Sequence, residues 1–312
     1  MKMSHPEVII TRTPHAAGEL IRELTGALAR DDIEPAIYCV PVKEAELSAL
    51  SPGLGRRCRA LAEGSYHWVS FTSKNGVRSF ARLWKHTLPN IPLSRLNDVV
   101  QVAAVGTATA TELEKHEIFC DMTPSVQDAR HMIAEWPQNT AQNTAQEKRV
   151  LCVQGDNARP TLSRGLEELG YTVEIAITYR MVDFPAQQPL SPREDDRARD
   201  SLKPWSLQEY MAHLWDMNQS GPSSAESNGE IPRVLIATSP LLLTTFVSAW
   251  RTMGKETGTT LSLPQIVAIG SSTEAQAHRL GLLSTRVAAT PAPADLARET
   301  ARILTNPTLL RS

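Results

Sequence analysis

The chain has 312 residues, 41% of them hydrophobic and 21% charged, with a formal net charge of −2. That length allows two domains with a core each, and the composition is that of a soluble globular protein. The balance of charge excludes a nucleic-acid binder that works through bulk positive potential.

Cys39, Cys58, Cys120 and Cys152 are scattered without a CxxC pair. That argues against a disulfide scaffold or zinc knuckle and leads us to expect a reducing, cytoplasmic setting. The amino-terminal "MKMSHPEVIITRT" lacks the apolar core of a secretion signal. No stretch approaches the roughly 18 apolar residues of a membrane span.

In chain order, "EVIIT" (7–11) is an apolar, β-branched run expected to form a buried parallel strand. Thr13-Pro14 opens a helix striped by Ala17, Leu20, Ile21, Leu24 and Leu28, a spacing that lays one face on a sheet. "PAIYCVPV" (35–42) reads as a strand bounded by prolines. Residues 43–63 read as a helix leading into a strand at 67–71, followed by a helix over 75–84. A strand (99–105), a helix (108–115), a short strand near 118–120 and a helix (126–136) complete the first series. "PQNTAQNTAQEK" (137–148) is polar and reads as a loop or frayed helix end.

A strand at 149–153 reopens the pattern. The helix expected over 159–169 carries Leu162, Leu166 and Leu169 and stops at Gly170, the usual residue at a helix end. "TVEIAITYRMV" (172–182) is strand-like, and 183–232 turns rich in proline, serine and charge, a solvated segment. Within it "SLQEYMAHLWDM" (206–217) can form an amphipathic helix docked on the surface. Alternating strands and helices of these lengths specify a parallel α/β sheet covered on both faces.

The chain also repeats itself. "WVSFTSKNGVRSFARLW" (68–84) is answered by "VLIATSPLLLTTFVSAW" (234–250), with Ser73 and Ser239 standing 166 positions apart. "AAVGTATATELEKH" (103–116) is echoed by "VAIGSSTEAQAHRL" (267–280), with Gly106 opposite Gly270 and Thr109 opposite Thr273. Each copy reads as strand, small-polar turn, helix. A hydroxyl at a helix start caps the free N–H groups, or joins those amides in binding a carboxylate or phosphate. Both readings stay open for these turns. Glycine at 106 and 270 would let a ligand approach the backbone closely, and Thr109 and Thr273 offer caps.

No GxGxxG, GxxxxGK[ST], HExxH or GxSxG pattern occurs, so nucleotide loops, a zinc site and a serine nucleophile all lack their signatures. Arg12 follows the first strand directly and can meet a carboxylate bidentately or form a surface ion pair. Tyr179 ends an apolar run between the two halves, where a tyrosine usually bonds a backbone group.

Taken in order, "ITRTP", "FTSKNGV", "AVGTATATEL", "GLEELGYTVEIAITYR", "ATSP" and "AIGSSTEAQA" resemble the uroporphyrinogen-III synthase family over about residues 7–304, apart from the polar insert near 185–230. The resemblance implies two flavodoxin-like parallel-sheet α/β domains joined by a two-stranded linker. Domain one would comprise 1–36 and 184–312, and domain two 43–176. The linker strands would be 37–42 and 177–183.

It also implies cofactor-free and metal-free cyclisation of hydroxymethylbilane with inversion of ring D through a spiro intermediate. Tyr179 is then the implied proton donor to the leaving hydroxyl. Ser73, Gly106, Thr109, Ser239, Gly270 and Thr273 fall on the cleft turns, and Arg12, Lys74 and Arg159 become implied carboxylate partners. The implied partners are a linear tetrapyrrole polycarboxylate and, transiently, hydroxymethylbilane synthase; nothing demands more than a monomer. A non-catalytic binding or regulatory protein derived from the same fold is the alternative. "LARDDIEP" (28–35) and "LEKHEIF" (113–119) depart from the family pattern in lacking a glycine after the helix.

Overall fold

The computed structural model describes residues 5–48, 53–137, 148–190, 202–220, 231–258 and 262–306. Its elements begin with β1 (Glu7–Ile10), α1 (Pro14–Ala29), β2 (Ala36–Cys39), β3 (Lys43–Leu47), α2 (Leu54–Ala62), β4 (Trp68–Phe71) and α3 (Lys74–Thr87). A 3-10 turn (Leu93–Arg95), α4 (Leu96–Val99), β5 (Gln101–Ala104), α5 (Thr107–Glu114) and α6 (Ala129–Ala134) follow. Next come β6 (Arg149–Gly155), α7 (Thr161–Glu168), β7 (Thr172–Asp183) and α8 (Leu207–Ser220). The chain then forms β8 (Arg233–Ala237), α9 (Pro240–Thr257), β9 (Gln265–Ala268), α10 (Ser271–Arg279), β10 (Arg286–Val287) and α11 (Pro293–Thr305). Among the described residues no helix is long and apolar enough to cross a membrane.

These elements form two compact units: Met1–Glu44 with Asp183–Pro185 and Pro192–Ser312, and Ala45–Val182 with Ala186–Ser191. The first unit holds a sheet of order β10-β9-β8-β1-β2. Renumbered within that unit, the order is the 2-1-3-4-5 of doubly wound sheets, with its switch point between β1 and β8. Those strands are parallel, Glu7 to Ile10 lying against Arg233 to Ile236 in register.

Val8 and Ile10 pack under α1 and α11, while Ile9 faces the opposite core with α8, α9 and α10. All three are fully buried, and each such side chain contributes about 1.5–3 kcal/mol of transfer free energy. At the amino end of the pair Glu7 accepts a 2.6 Å bond from Arg233 Nε, with side-chain exposures of 3% and 10%.

The second unit holds a sheet of order β3-β7-β6-β4-β5, with its switch point between β4 and β6. Four strands follow the same winding, but the fifth position is filled by β3, which precedes the others in sequence. Trp68, Val150 and Cys152 face a core with α6 and α7, whereas Val69, Phe71, Leu151 and Val153 face α2, α3 and α5.

Several expectations are corrected by these elements. Residues 43–47 form β3, not the start of a helix. Glu46 there accepts bonds from the Gln187 and Gln188 amides and pairs with Arg180, so tertiary partners override a helix-prone composition. No strand lies at 118–120; the neighbouring residues 120–122 bond to β5 around one isolated bridge between Ala103 and Met122. The helix expected over 126–136 is α6 alone, because the Asp128 carboxylate accepts from the Arg130 and His131 amides and fixes the start there.

Leu162 and Leu166 are buried as expected, but Leu169 is exposed beyond the last turn, where Gly170 takes φ +85°. The helix expected at 206–217 is α8, and it belongs to the core, with Tyr210, Met211 and Leu214 buried. Of the polar segments, 138–147, 191–201 and 221–230 lie outside the described residues. Residues 37–39 fall within β2, the edge strand of the first sheet, and 177–183 continue β7. The chain passes from one unit to the other within β3, after Glu44, at the end of β7, after Val182, and again after Pro185 and Ser191.

Candidate active site

In the second unit, β4 hands over to α3 through Thr72 and Ser73. Ser73 is the N-cap of α3, its Oγ accepting from Gly76 N at 3.1 Å. The same oxygen lies 2.9 Å from the Tyr179 phenol oxygen. With one lone pair given to Gly76, the serine hydroxyl is free to donate to the phenol. Either oxygen can be the donor of this bond; when the serine donates, the Tyr179 proton is left for a third party.

Tyr179 is held by its strand. Neighbouring Thr178 is buried and accepts a 2.7 Å bond from Ser79 of α3, and its carbonyl accepts from Ser48 N. Asp156 N donates to the Tyr179 carbonyl.

The phenol borders a cavity of about 570 Å³ at the carboxyl ends of β4 and β6, the switch point of this sheet. Thr72, Ser73, Asp128, Arg130, Arg159 and Tyr179 line it, together with Asn157 and apolar groups. Several arginines of this unit are held in ion pairs. Arg57 and Arg149 pair with Glu174, Arg78 with Glu112 and Arg180 with Glu46. Arg130 and Arg159 are exposed and, among the described residues, have no acidic partner. The site therefore offers two exposed guanidinium groups, the Asp128 carboxylate and the Tyr179 phenol. That is a suitable set for an anionic ligand with a basic leaving group.

Sequence-predicted residues divide accordingly. Ser73, Arg159 and Tyr179 come together around the cavity. Lys74, the first residue of α3, is exposed and does not line it, and neither do Gly106 and Thr109. Gly106 is the N-cap of α5 and lies under Gln127, whose amide donates to Thr107 Oγ1. Thr109 sits a turn inside α5 and is buried, so the cap expected of it is absent.

The first unit repeats this arrangement: Gly270 is the N-cap of α10 and Thr273 is wholly buried. Ser239 caps α9 by accepting from Leu242 N at 3.2 Å. Arg12 stands at the end of β1, where burial lowers its affinity for a proton, and among the described residues it has no ion pair.

Arg130, Asp128 and Gly155 were missed. Asp128 carried an N-cap signal that would have set the start of α6 and placed Arg130 in its first turn. Burial pushes the thiols of Cys58 and Cys152 up to about 11, so neither is a thiolate nucleophile at neutral pH.

The profile of the family described as "Uroporphyrinogen-III synthase HemD" matches residues 23–298, most of the chain. The chain belongs to the uroporphyrinogen-III synthase family. It is 27% identical over 197 residues to a uroporphyrinogen-III synthase of Chlorobaculum parvum, covering 62% of this chain and 69% of that one. A porphyrin biosynthesis protein HemD of Ruminiclostridium josui is 26% identical over 146 residues, which are 47% of this chain and 26% of that much longer protein. Among solved structures, a mutant uroporphyrinogen III synthase from the extremely thermophilic bacterium Thermus thermophilus superposes with a TM-score of 0.53. The match covers 96% of this chain and 99% of that one at 13% identity, a likeness of fold. Two parallel-sheet α/β units are thus the architecture of uroporphyrinogen-III synthases in this chain as well.

Proposed function

We propose that this chain is a lyase that cyclises hydroxymethylbilane to uroporphyrinogen III, with Tyr179 donating the proton that lets the terminal hydroxyl leave as water. The observation that carries this reading is the Tyr179 phenol, backed by the Ser73 hydroxyl at 2.9 Å and bordering a cavity with Arg130 and Arg159. The hydroxymethyl C–O bond breaks as the pyrrole nitrogen supplies electrons, giving water and an azafulvene cation. The substituted carbon of ring D attacks that cation to form a spiro-pyrrolenine. Its older bond to the neighbouring methylene breaks, and the chain recloses at the free ring carbon. That carbon loses a proton as the ring regains aromaticity, so one proton is taken up and one released in each cycle.

The substrate carries carboxylates on every ring, and Arg130 and Arg159 are suited to fix some of them. Since the free substrate closes without inversion, holding one geometry is the larger share of the task.

The test supplies hydroxymethylbilane and separates the product isomers by chromatography, for the wild type and for Tyr179→Phe. Isomer III is expected from the wild type, with turnover lowered about 10²-fold or more in the variant and binding largely kept. Isomer I alone, formed at the spontaneous rate, would mean a non-catalytic binding protein on the same fold. Unchanged turnover in Tyr179→Phe would remove the phenol from the mechanism.

A further inference from the structure

Gly155 closes β6 beside Tyr179, and nothing in its backbone requires a glycine. Gly53, Gly64, Gly170, Gly258 and Gly281 take positive φ; Gly155 does not. The requirement lies in the space next to it. A Cβ on Gly155 would stand 2.6 Å from Tyr179 Cζ, 2.9 Å from Cε2 and 2.9 Å from the phenol oxygen. Carbon atoms in contact prefer about 3.5–4.0 Å, so an added methyl would drive the ring about 1 Å away.

The ring has little freedom to yield. Its oxygen is bonded to Ser73, and its strand is tied on either side through Thr178 and the Tyr179 carbonyl. The register between β6 and β7 shifts at Gln154/Gly155, and that irregularity sets Gly155 directly across from Tyr179.

We infer that Gly155 is a positioning residue: the side chain it lacks is the space that seats the Tyr179 phenol against Ser73 and toward the cavity. The catalytic consequence rests on the reading of Tyr179 as proton donor; the placement of the ring does not.

The experiment uses the full chain labelled with ¹³C at tyrosine Cζ in four forms: wild type, Gly155→Ala, Tyr179→Phe and the double variant. The resonance lost in Tyr179→Phe assigns the phenol among the five tyrosines. In Gly155→Ala that resonance is expected to move while the other four stay. Turnover should fall about 10²-fold, the loss expected of a 1 Å displacement, with KM within about threefold of wild type. In the Tyr179→Phe background the same glycine change should cost no further turnover, since no hydroxyl remains to misplace.

An unmoved resonance overturns the inference. So does an equal loss of turnover in both backgrounds, which would mark Gly155 as a packing residue only. If Tyr179→Phe itself turns over normally while Gly155→Ala still moves the phenol resonance, the positioning role stands and the proton-donor reading falls.

Discussion

Ser73→Ala removes one oxygen that serves two partners, and a second substitution separates the two losses. As the α3 cap, Ser73 accepts from Gly76 N at 3.1 Å, and losing such a cap to alanine costs about 1 kcal/mol of stability. As the neighbour of Tyr179 at 2.9 Å, its hydroxyl contributes a hydrogen bond with a net value of about 0.5–1.5 kcal/mol, or about two- to tenfold in turnover. Glycine at an N-cap loses only a few tenths of a kcal/mol relative to serine, yet it removes the same hydroxyl. Ser73→Ala and Ser73→Gly should therefore share the fall in turnover while differing in stability by most of the cap.

Urea unfolding followed by tryptophan fluorescence reads the first quantity, with Trp68, Trp84 and Trp136 all buried in this unit; steady-state kinetics reads the second. Ser239→Ala provides the matched cap, accepting from Leu242 N at 3.2 Å, and should lose a similar stability in the first unit. The reasoning is refuted if Ser73→Gly turns over like wild type, or if turnover across the series follows stability rather than the hydroxyl.

Arg159→Ala is expected to raise KM about tenfold or more with a smaller change in turnover, since one charge-assisted bond to a carboxylate is worth about 1.5–3 kcal/mol; a wild-type KM would place Arg159 outside the binding set. Arg233→Met leaves the Glu7 carboxylate buried and unpaired and should destabilise the first unit by about 3 kcal/mol, while adding Glu7→Leu should recover most of it. An equal loss in single and double variants would show that the ion pair is not the cause.

The amide groups of Gln188 and Gln187 and the Arg180 guanidinium hold the Glu46 carboxyl below the usual carboxylate range. Its contribution is therefore present at neutral pH and lost as pH falls through and below that range. Glu46→Gln should flatten the acid limb of stability measured by urea midpoints, and an unchanged limb would contradict the assignment.

Much of this fold was legible because its strongest signals are local. The β1 run, the α1 stripe opened by Thr13-Pro14 and the paired serine caps at 73 and 239 all follow from short-range spacing. What stayed hidden depends on distant partners. "KEAEL" has a helix-prone composition and becomes β3 only because the loop after β7 supplies amides to Glu46.

The missing glycines at two helix ends were visible as departures, but their consequence was not. Asp32 and Glu117 take φ of +55° and +59° there, accepting a left-handed backbone that costs a non-glycine residue about 1–2 kcal/mol. At the candidate site the cap signal indicated Ser73, whereas Arg159 and the role of Tyr179 were indicated only by the family resemblance. The sequence did not indicate that Thr109 and Thr273 turn inward, because a buried threonine one helical turn beyond a cap looks the same in sequence as a capping one.

The pairing of β1 with β8 has a consequence during synthesis. Glu7 lies against Arg233, so the central strand of the first sheet meets its partner only after some 226 further residues have been made. At about 5–20 residues per second that is roughly 10–45 s. Throughout that interval the edge of Val8, Ile9 and Ile10 has no strand beside it except β2. The second unit, nearly continuous from Ala45 to Val182, can finish folding in the meantime. A ribosome-bound chain halted before β8 should then present a folded second unit and an adhesive amino-terminal strand, the form in which this protein is most exposed to aggregation or chaperone capture.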